Sequence, residues 1–315
     1  MRRFLLYTVL FFSLAAILDF AAGCFFGILK SKATAGMTFR SEYLRRICED
    51  DILILGSSRA QNHYVPSVLE DSLGVTCYNA GQGGCGIIPA YVWYKMVARR
   101  SVPKLVIYDV VPKFDYLKDA TYAKYLGIIR QDADDKIARD VILDFSDRFE
   151  RLRLLSKMYR NNSKLLTNIG DVRGKEDLYK GYSPKYGEWT PTPVRKATAV
   201  MPYKVDSLKL SYFERLIQDV LHDGASLVFV ASPSYSRGKL GSDYSLTIDL
   251  CEKYGIPFLN NRVVEGITEV PERFFDRHHL NHQGAVAYTE SLVAQIKRYV
   301  INPSQRPAPE SVRGQ

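Results

Sequence analysis

Histidine and tryptophan are scarce in this chain, with five and two among 315 residues, and its five cysteines never form a close pair. Cys24, Cys48, Cys77, Cys85 and Cys251 lack the spacing of a zinc site or a redox C-x-x-C. Cys24 lies in an apolar segment, leaving four thiols for any pairing. Cys77 and Cys85 are near enough in sequence to bridge, and free buried thiols fit as well. No Walker phosphate loop occurs, which argues against nucleotide hydrolysis, and no solenoid or propeller repeat is visible. The net charge of +9 would suit nucleic acid, an anionic membrane or an acidic polymer. The basic residues are scattered, however, and no nucleic-acid signature accompanies them. A solvated basic surface on a membrane-proximal protein is the favoured reading, with no nucleic-acid partner.

The long apolar run is at the start. Phe4 to Leu29 is almost wholly apolar, preceded by Arg2 and Arg3 and followed by Lys30 and Lys32. A helix of that length can cross a bilayer core and exceeds the apolar core of a cleavable signal. Residues 1–30 are therefore read as a signal anchor, through which the chain would meet a membrane. Asp19 interrupts the run, and a carboxylate in hydrocarbon is costly unless protonated or paired. Ala21-Ala22-Gly23-Cys24 somewhat resembles a lipoprotein cleavage site, although the apolar residues after Cys24 fit that poorly; a cleaved signal is the other alternative. In each case the positive residues at the start stay in the cytoplasm and the rest of the chain faces outward, to the periplasmic or cell-surface side.

Residues 31–50 read as a polar stalk. Apolar strands are expected at Asp51–Leu55, Val75–Tyr78, Leu105–Tyr108, Ser226–Ala231 and Pro257–Leu259. Helical patterns fall between and after them, at Val65–Ser72, Ile88–Arg99, Tyr212–His222, Tyr244–Tyr254 and Gly284–Val300. Continuous apolar strands alternating with amphipathic helices imply an α/β fold with a parallel sheet covered on both faces. Sites in such sheets form beyond the carboxyl ends of the strands. Between residues 112 and 205 the rhythm stops. Lys136–Tyr159 looks helical, whereas 161–206 is loop-like and carries Tyr179, Tyr182, Tyr186, Trp189 and Tyr203. Such aromatics could hold sugar rings or acyl chains, or pack a lid onto its own domain. Residues 301–315 are proline-rich and polar, the composition of a disordered tail.

Ser58 follows the first strand in Gly56-Ser57-Ser58-Arg59. A serine hydroxyl is a poor nucleophile until a base takes its proton, and a strand-to-helix turn would expose it. Taken alone, Ser57 and Ser58 could merely cap the following helix. The other end of the chain supplies the base in Asp276-Arg277-His278-His279-Leu280-Asn281. His279 could reach a serine across the top of the sheet while Asp276, three residues earlier, orients its ring. The competing readings are a surface loop or a partial metal site, though adjacent histidines point apart and rarely share a metal.

In order along the chain, Gly56-Ser57-Ser58, then Asn79-Ala80-Gly81-Gln82-Gly83-Gly84, then Asp276-Arg277-His278-His279-Leu280-Asn281 resemble the blocks of SGNH/GDSL hydrolases, over roughly residues 50–111 and 206–300. The resemblance implies a flavodoxin-like three-layer α/β/α fold for residues 51–111 and 206–300, with 112–205 as an insertion serving as lid or substrate subdomain. It implies Ser58 as nucleophile with Asp276 and His279 completing the triad, and the Ser58 and Gly84 amides as oxyanion donors. Two departures stand out. Ser57 replaces the family's acidic residue, and Asp109-Val110-Val111-Pro112 stands where Gly-x-Asn-Asp is expected, so the side-chain oxyanion donor is missing. Asn79 or Asn62 could substitute. Arg59 and Trp189 are candidate substrate contacts. No Gly-x-Ser-x-Gly elbow surrounds Ser58, which argues against a standard α/β-hydrolase.

The activity expected is an extracytoplasmic serine esterase acting on O-acylated carbohydrate or lipid, with no metal or organic cofactor. One alternative is an O-acyltransferase of surface polysaccharide on the same residues. Another is a catalytically weak fold of this type that binds glycan.

Overall fold

A computed structural model of the chain describes residues 1–162, 164–174, 179–190, 204–235 and 244–301. The expected strands all form, as β1 (Ile52–Gly56), β2 (Cys77–Asn79), β3 (Leu105–Asp109), β4 (Ser226–Ala231) and β5 (Phe258–Asn260). They make one parallel sheet in the order β2-β1-β3-β4-β5. Every residue of β1, β3 and β4 is buried, which is why these strands read as unbroken apolar runs rather than alternating ones. Full burial of each Leu, Ile or Val contributes about 1.5–3 kcal/mol.

The first helices are α1 (Arg2–Lys32), α2 (Gly36–Arg46), α3 (Ser58–His63), α4 (Pro66–Leu73) and α5 (Ile87–Ala98). Next come α6 (Pro112–Asp115), α7 (Ala123–Ile129), α8 (Lys136–Asp144), α9 (Glu150–Arg153), α10 (Lys157–Arg160) and α11 (Leu165–Arg173). The last are α12 (Ser207–His222), α13 (Ser245–Tyr254) and α14 (His282–Ile301). Ile52, Ile54, Leu105, Ile107, Val228 and Val230 share a core cluster with Tyr64, Leu69, Tyr288 and Leu292 of the α3–α4 region and α14. Tyr108 and Phe229 instead meet Phe213 of α12, at ring distances of 5.4 and 4.9 Å. Asp206 caps α12 by accepting the Leu208 and Lys209 amides, one reason that helix starts where it does.

The chain divides into two compact units: residues 48–121 with 178–315, which hold the sheet, and residues 1–47 with 122–177. The 112–205 stretch is thus shared between them, its ends belonging with the sheet. Residues 31–50 are not simply a stalk. Most of them form α2, an amphipathic helix whose Thr38, Ser41 and Leu44 are buried. The helical pattern at 136–159 becomes three short helices because polar side chains compete for the backbone at the breaks: Asp147 accepts the Phe149 amide and Ser156 the Tyr159 amide. Residues 302–315 of the expected tail, and Tyr203, lie outside the described residues. All five cysteines are free, so Cys77 and Cys85 do not bridge.

Candidate active site

The chain leaves β1 beside β2, then crosses to β3 on the other side of β1, and the crevice at such a switch point is where α/β sheets bind ligands. Gly56 ends β1 with φ at 134°. A Cβ there would meet the Asp109 carbonyl at 2.6 Å and Ala60 at 3.0 Å, so only glycine permits this turn. The turn delivers Ser58 to the first position of α3, where its N–H has no acceptor within the helix.

Ser58 and His279 are 221 residues apart in the chain, and Ser58 Oγ lies 2.8 Å from His279 Nε2. His279 Nδ1 is 2.8 and 3.0 Å from the two Asp276 carboxylate oxygens. The same carboxylate accepts the His278 and His279 amides at 2.7 and 3.0 Å, and the Phe275 amide donates to the His279 carbonyl. This tight turn explains the three-residue spacing: it brings the His279 ring back over the aspartate. Burial opposes ionisation of Asp276, but hydrogen bonds from the His279 ring and from these amides hold its carboxyl below the usual range. His278 also borders the site, and burial depresses its basicity.

A cavity of about 380 Å³ opens beside Ser58 and His279. Val111, Pro112, Phe114 and Leu117 form an apolar wall, with Lys113, Ser234 and Tyr244 among its polar lining. In that wall Ser57 Oγ and Arg59 Nε are buried without a hydrogen-bond partner.

Asn79, a candidate oxyanion donor, has its carboxamide committed elsewhere. It is fully buried, its amide nitrogen donates to the Ala60 and Tyr64 carbonyls at 2.8 and 2.9 Å, and its oxygen accepts the Gly81 amide. The carboxamide is spent on joining the end of β2 to α3. Asn62 is likewise buried and donates to the Ser183 carbonyl at 2.6 Å. In the turn after β2, Gly83 is the residue brought toward Ser58, with 3.8 Å between a notional Gly83 Cβ and Ser58 Cβ. Gly84, at φ 72°, faces open space and is not part of the cavity wall.

Arg59 lines the cavity, but its guanidinium is largely committed to the fold. It donates to the Val110 carbonyl at 2.6 Å and to Tyr244 Oη at 3.0 Å, and pairs with Asp109 at 3.3 Å. Burial raises the Asp109 pKa against the pull of Arg59 and of the Ser232 and Tyr64 hydroxyls. Asp109, at the end of β3, is therefore the centre of a buried polar network. Trp189 occupies a packing position outside the cavity wall. Its ring meets Tyr235 edge-on at 4.8 Å and its amide donates to the Phe274 carbonyl. Tyr182 and Tyr186 similarly pack on His282.

His63 was not anticipated. It is fully buried, with Nδ1 3.0 Å from Ser232 Oγ and its ring 6.3 Å from that of His279. Burial, then the charges of Arg59 and His279, push its pKa well down, so it is neutral. Compared with protein-family models and with curated proteins, the sequence matches none.

Proposed function

We propose that this chain is a membrane-anchored serine esterase or acyltransferase of the SGNH type, acting outside the cytoplasm on O-acyl groups of carbohydrate or lipid. The observation that carries this reading is the unbroken line Ser58 Oγ, His279 Nε2, His279 Nδ1, Asp276 carboxylate. His279 takes the Ser58 proton as Oγ attacks the ester carbonyl. It then gives that proton to the departing alkoxide, leaving an acyl-Ser58 ester. Water or an acceptor hydroxyl, deprotonated by His279, attacks that ester and releases Ser58 with its proton restored. Asp276 stabilises the imidazolium in both halves. The Ser58 amide meets the oxyanion, and Ser57 Oγ replaces the absent asparagine as side-chain donor. The apolar wall of Val111, Pro112, Phe114 and Leu117 receives the acyl chain. The strand order β2-β1-β3-β4-β5 supports a flavodoxin-like three-layer fold. Helix α1 is long and apolar enough to cross a membrane, and Arg2 and Arg3 before it favour a cytoplasmic start.

A fluorophosphonate probe tests this directly. It should modify the peptide containing Ser58 in the intact chain and fail to do so in Ser58→Ala. Absence of labelling, or equal labelling of both, would overturn the assignment.

A further inference from the structure

Asp19, the carboxylate that interrupts the apolar run, is not left unpaired. It accepts Ser156 Oγ at 2.6 Å and the backbone amides of Lys157 and Met158 at 2.8 and 2.9 Å. It therefore caps the amino end of α10 from the side of α1. Gly23, one turn further along, lies against Lys157, whose Cβ a Cβ at that position would approach to 2.9 Å. Lys157 Nζ in turn lies 4.7 Å from the centre of the Phe20 ring. The segment 149–158 is thus fastened to the middle of an apolar helix.

The depth of that fastening follows from helix geometry. A hydrocarbon core of about 30 Å takes about 20 residues at 1.5 Å each. Counted from Phe4, just past Arg2 and Arg3, the far boundary falls near Gly23 and Cys24. Asp19 then lies about 6 Å inside it, and so does the backbone that donates to it. The neighbouring side chains suit that position. Phe149, Leu152, Leu155 and Met158 are all exposed, Leu155 to 72 %, and so is Leu166 of α11, to 83 %. Arg148, Arg151 and Arg153 alternate with them in sequence. Around the level of Gly23 to Ser31, a cavity of about 220 Å³ is lined by Lys30, Arg45, Arg46, Lys157 and Arg160 against two carboxylates, Glu42 and Asp134. Three of those cations share Glu42. This is a cationic hollow at the calculated headgroup level, beside an apolar ridge at the acyl level.

We infer that residues 149–158 ride in the membrane rather than above it, with Leu152, Leu155 and Met158 immersed at the acyl boundary and the cationic hollow holding the phosphate of an anionic phospholipid. Interfacial elements of this kind lie about 5–10 Å into that boundary, the depth at which Asp19 is found. An Asp19 carboxylate satisfied by three donors removes the cost that an isolated charge would carry there. Amphipathic cover on the segment also accounts for apolar side chains that no described residue buries. The inference rests on the reading that α1 spans a bilayer.

The test is site-directed spin labelling of the full chain in a Cys24→Ser background, labelled in detergent and reconstituted into phosphatidylcholine vesicles with or without phosphatidylglycerol. Accessibility to oxygen and to a water-soluble nickel chelate is read at Leu10→Cys, Leu155→Cys and Val263→Cys. Oxygen should dominate at Leu10 and Leu155 and nickel at the exposed Val263 position, with the Leu155 label deeper when phosphatidylglycerol is present. Nickel access at Leu155 with Leu10 still in lipid overturns the inference and leaves the span intact. Nickel access at Leu10 overturns the span itself. Exclusion of both reagents from Leu155 would mean that protein covers it, against the inference, and equal depth in both vesicle types would remove the anionic lipid.

Discussion

The backbone N–H of Leu280 donates to Nε2 of His63 across 3.1 Å, joining residues 217 apart in the chain. Because Nε2 accepts, the neutral ring carries its proton on Nδ1 and donates it to Ser232 Oγ. Ser232 also lowers the Asp109 pKa, and the Asp109 carboxylate receives the Tyr64 hydroxyl. The residue that follows His279 is thereby tied to the polar network at the end of β3. An unsatisfied buried amide costs about 1–3 kcal/mol, enough to let the His279 loop drift.

On the proposed mechanism His63 is a positioning residue. His63→Ala should lower kcat by about 10- to 100-fold with little change in KM. His63→Gln, which retains an acceptor, should recover a substantial part of that loss. A pure folding defect would instead leave the surviving fraction with normal kcat, as titration of active sites with the fluorophosphonate would reveal.

Among the site residues a graded order is expected from ester cleavage rates. His279→Ala should be nearly inactive, Asp276→Asn intermediate and His278→Ala mild, since losing a base costs orders of magnitude and an orienting carboxylate often costs less. His278 borders the cavity but makes no contact with Ser58 Oγ among those described. If His278→Ala were the inactive variant, the base would be misassigned.

Ser57 and Ser58 should separate by assay. Ser58→Ala abolishes probe labelling, while Ser57→Ala remains labelled and loses turnover by about 100-fold, the scale of one lost oxyanion donor. A Ser57→Ala enzyme with unchanged kcat would mean its buried hydroxyl serves no step.

Asp115 should make stability depend on pH. It is buried, accepts Tyr108 Oη and the Val111 amide at 2.6 Å each, and burial pushes its carboxyl up to about 7. Its folded-state pKa lies above the unfolded value, so the folded state binds more protons in between. The contribution is full below about pH 4 and is lost as pH rises to about 7, on the order of a few kcal/mol in all. Urea titrations of the detergent-solubilised chain should show stability declining over that window, and Asp115→Asn should flatten the slope. A slope unchanged in Asp115→Asn would assign the titration elsewhere.

Much of this architecture was written locally. The apolar runs of β1, β3 and β4 read as buried parallel strands because each residue meets a covered face. The Asp276-to-His279 spacing was legible because a single turn closes that contact. The apolar length of α1 and the strand-end place of Ser58 were equally local. Asn79, Asp19 and His63 were different. Side-chain type and neighbours in sequence left Asn79 a plausible donor, Asp19 a defect in a membrane helix and His63 unremarked. Their roles depend on which backbone groups arrive from elsewhere: Ala60 and Tyr64 for Asn79, Ser156 to Met158 for Asp19, Leu280 for His63. Periodicity encodes which face of an element is buried, since burial follows the repeat of the backbone. A buried polar group is satisfied by one partner in one direction, and only the tertiary structure supplies that partner.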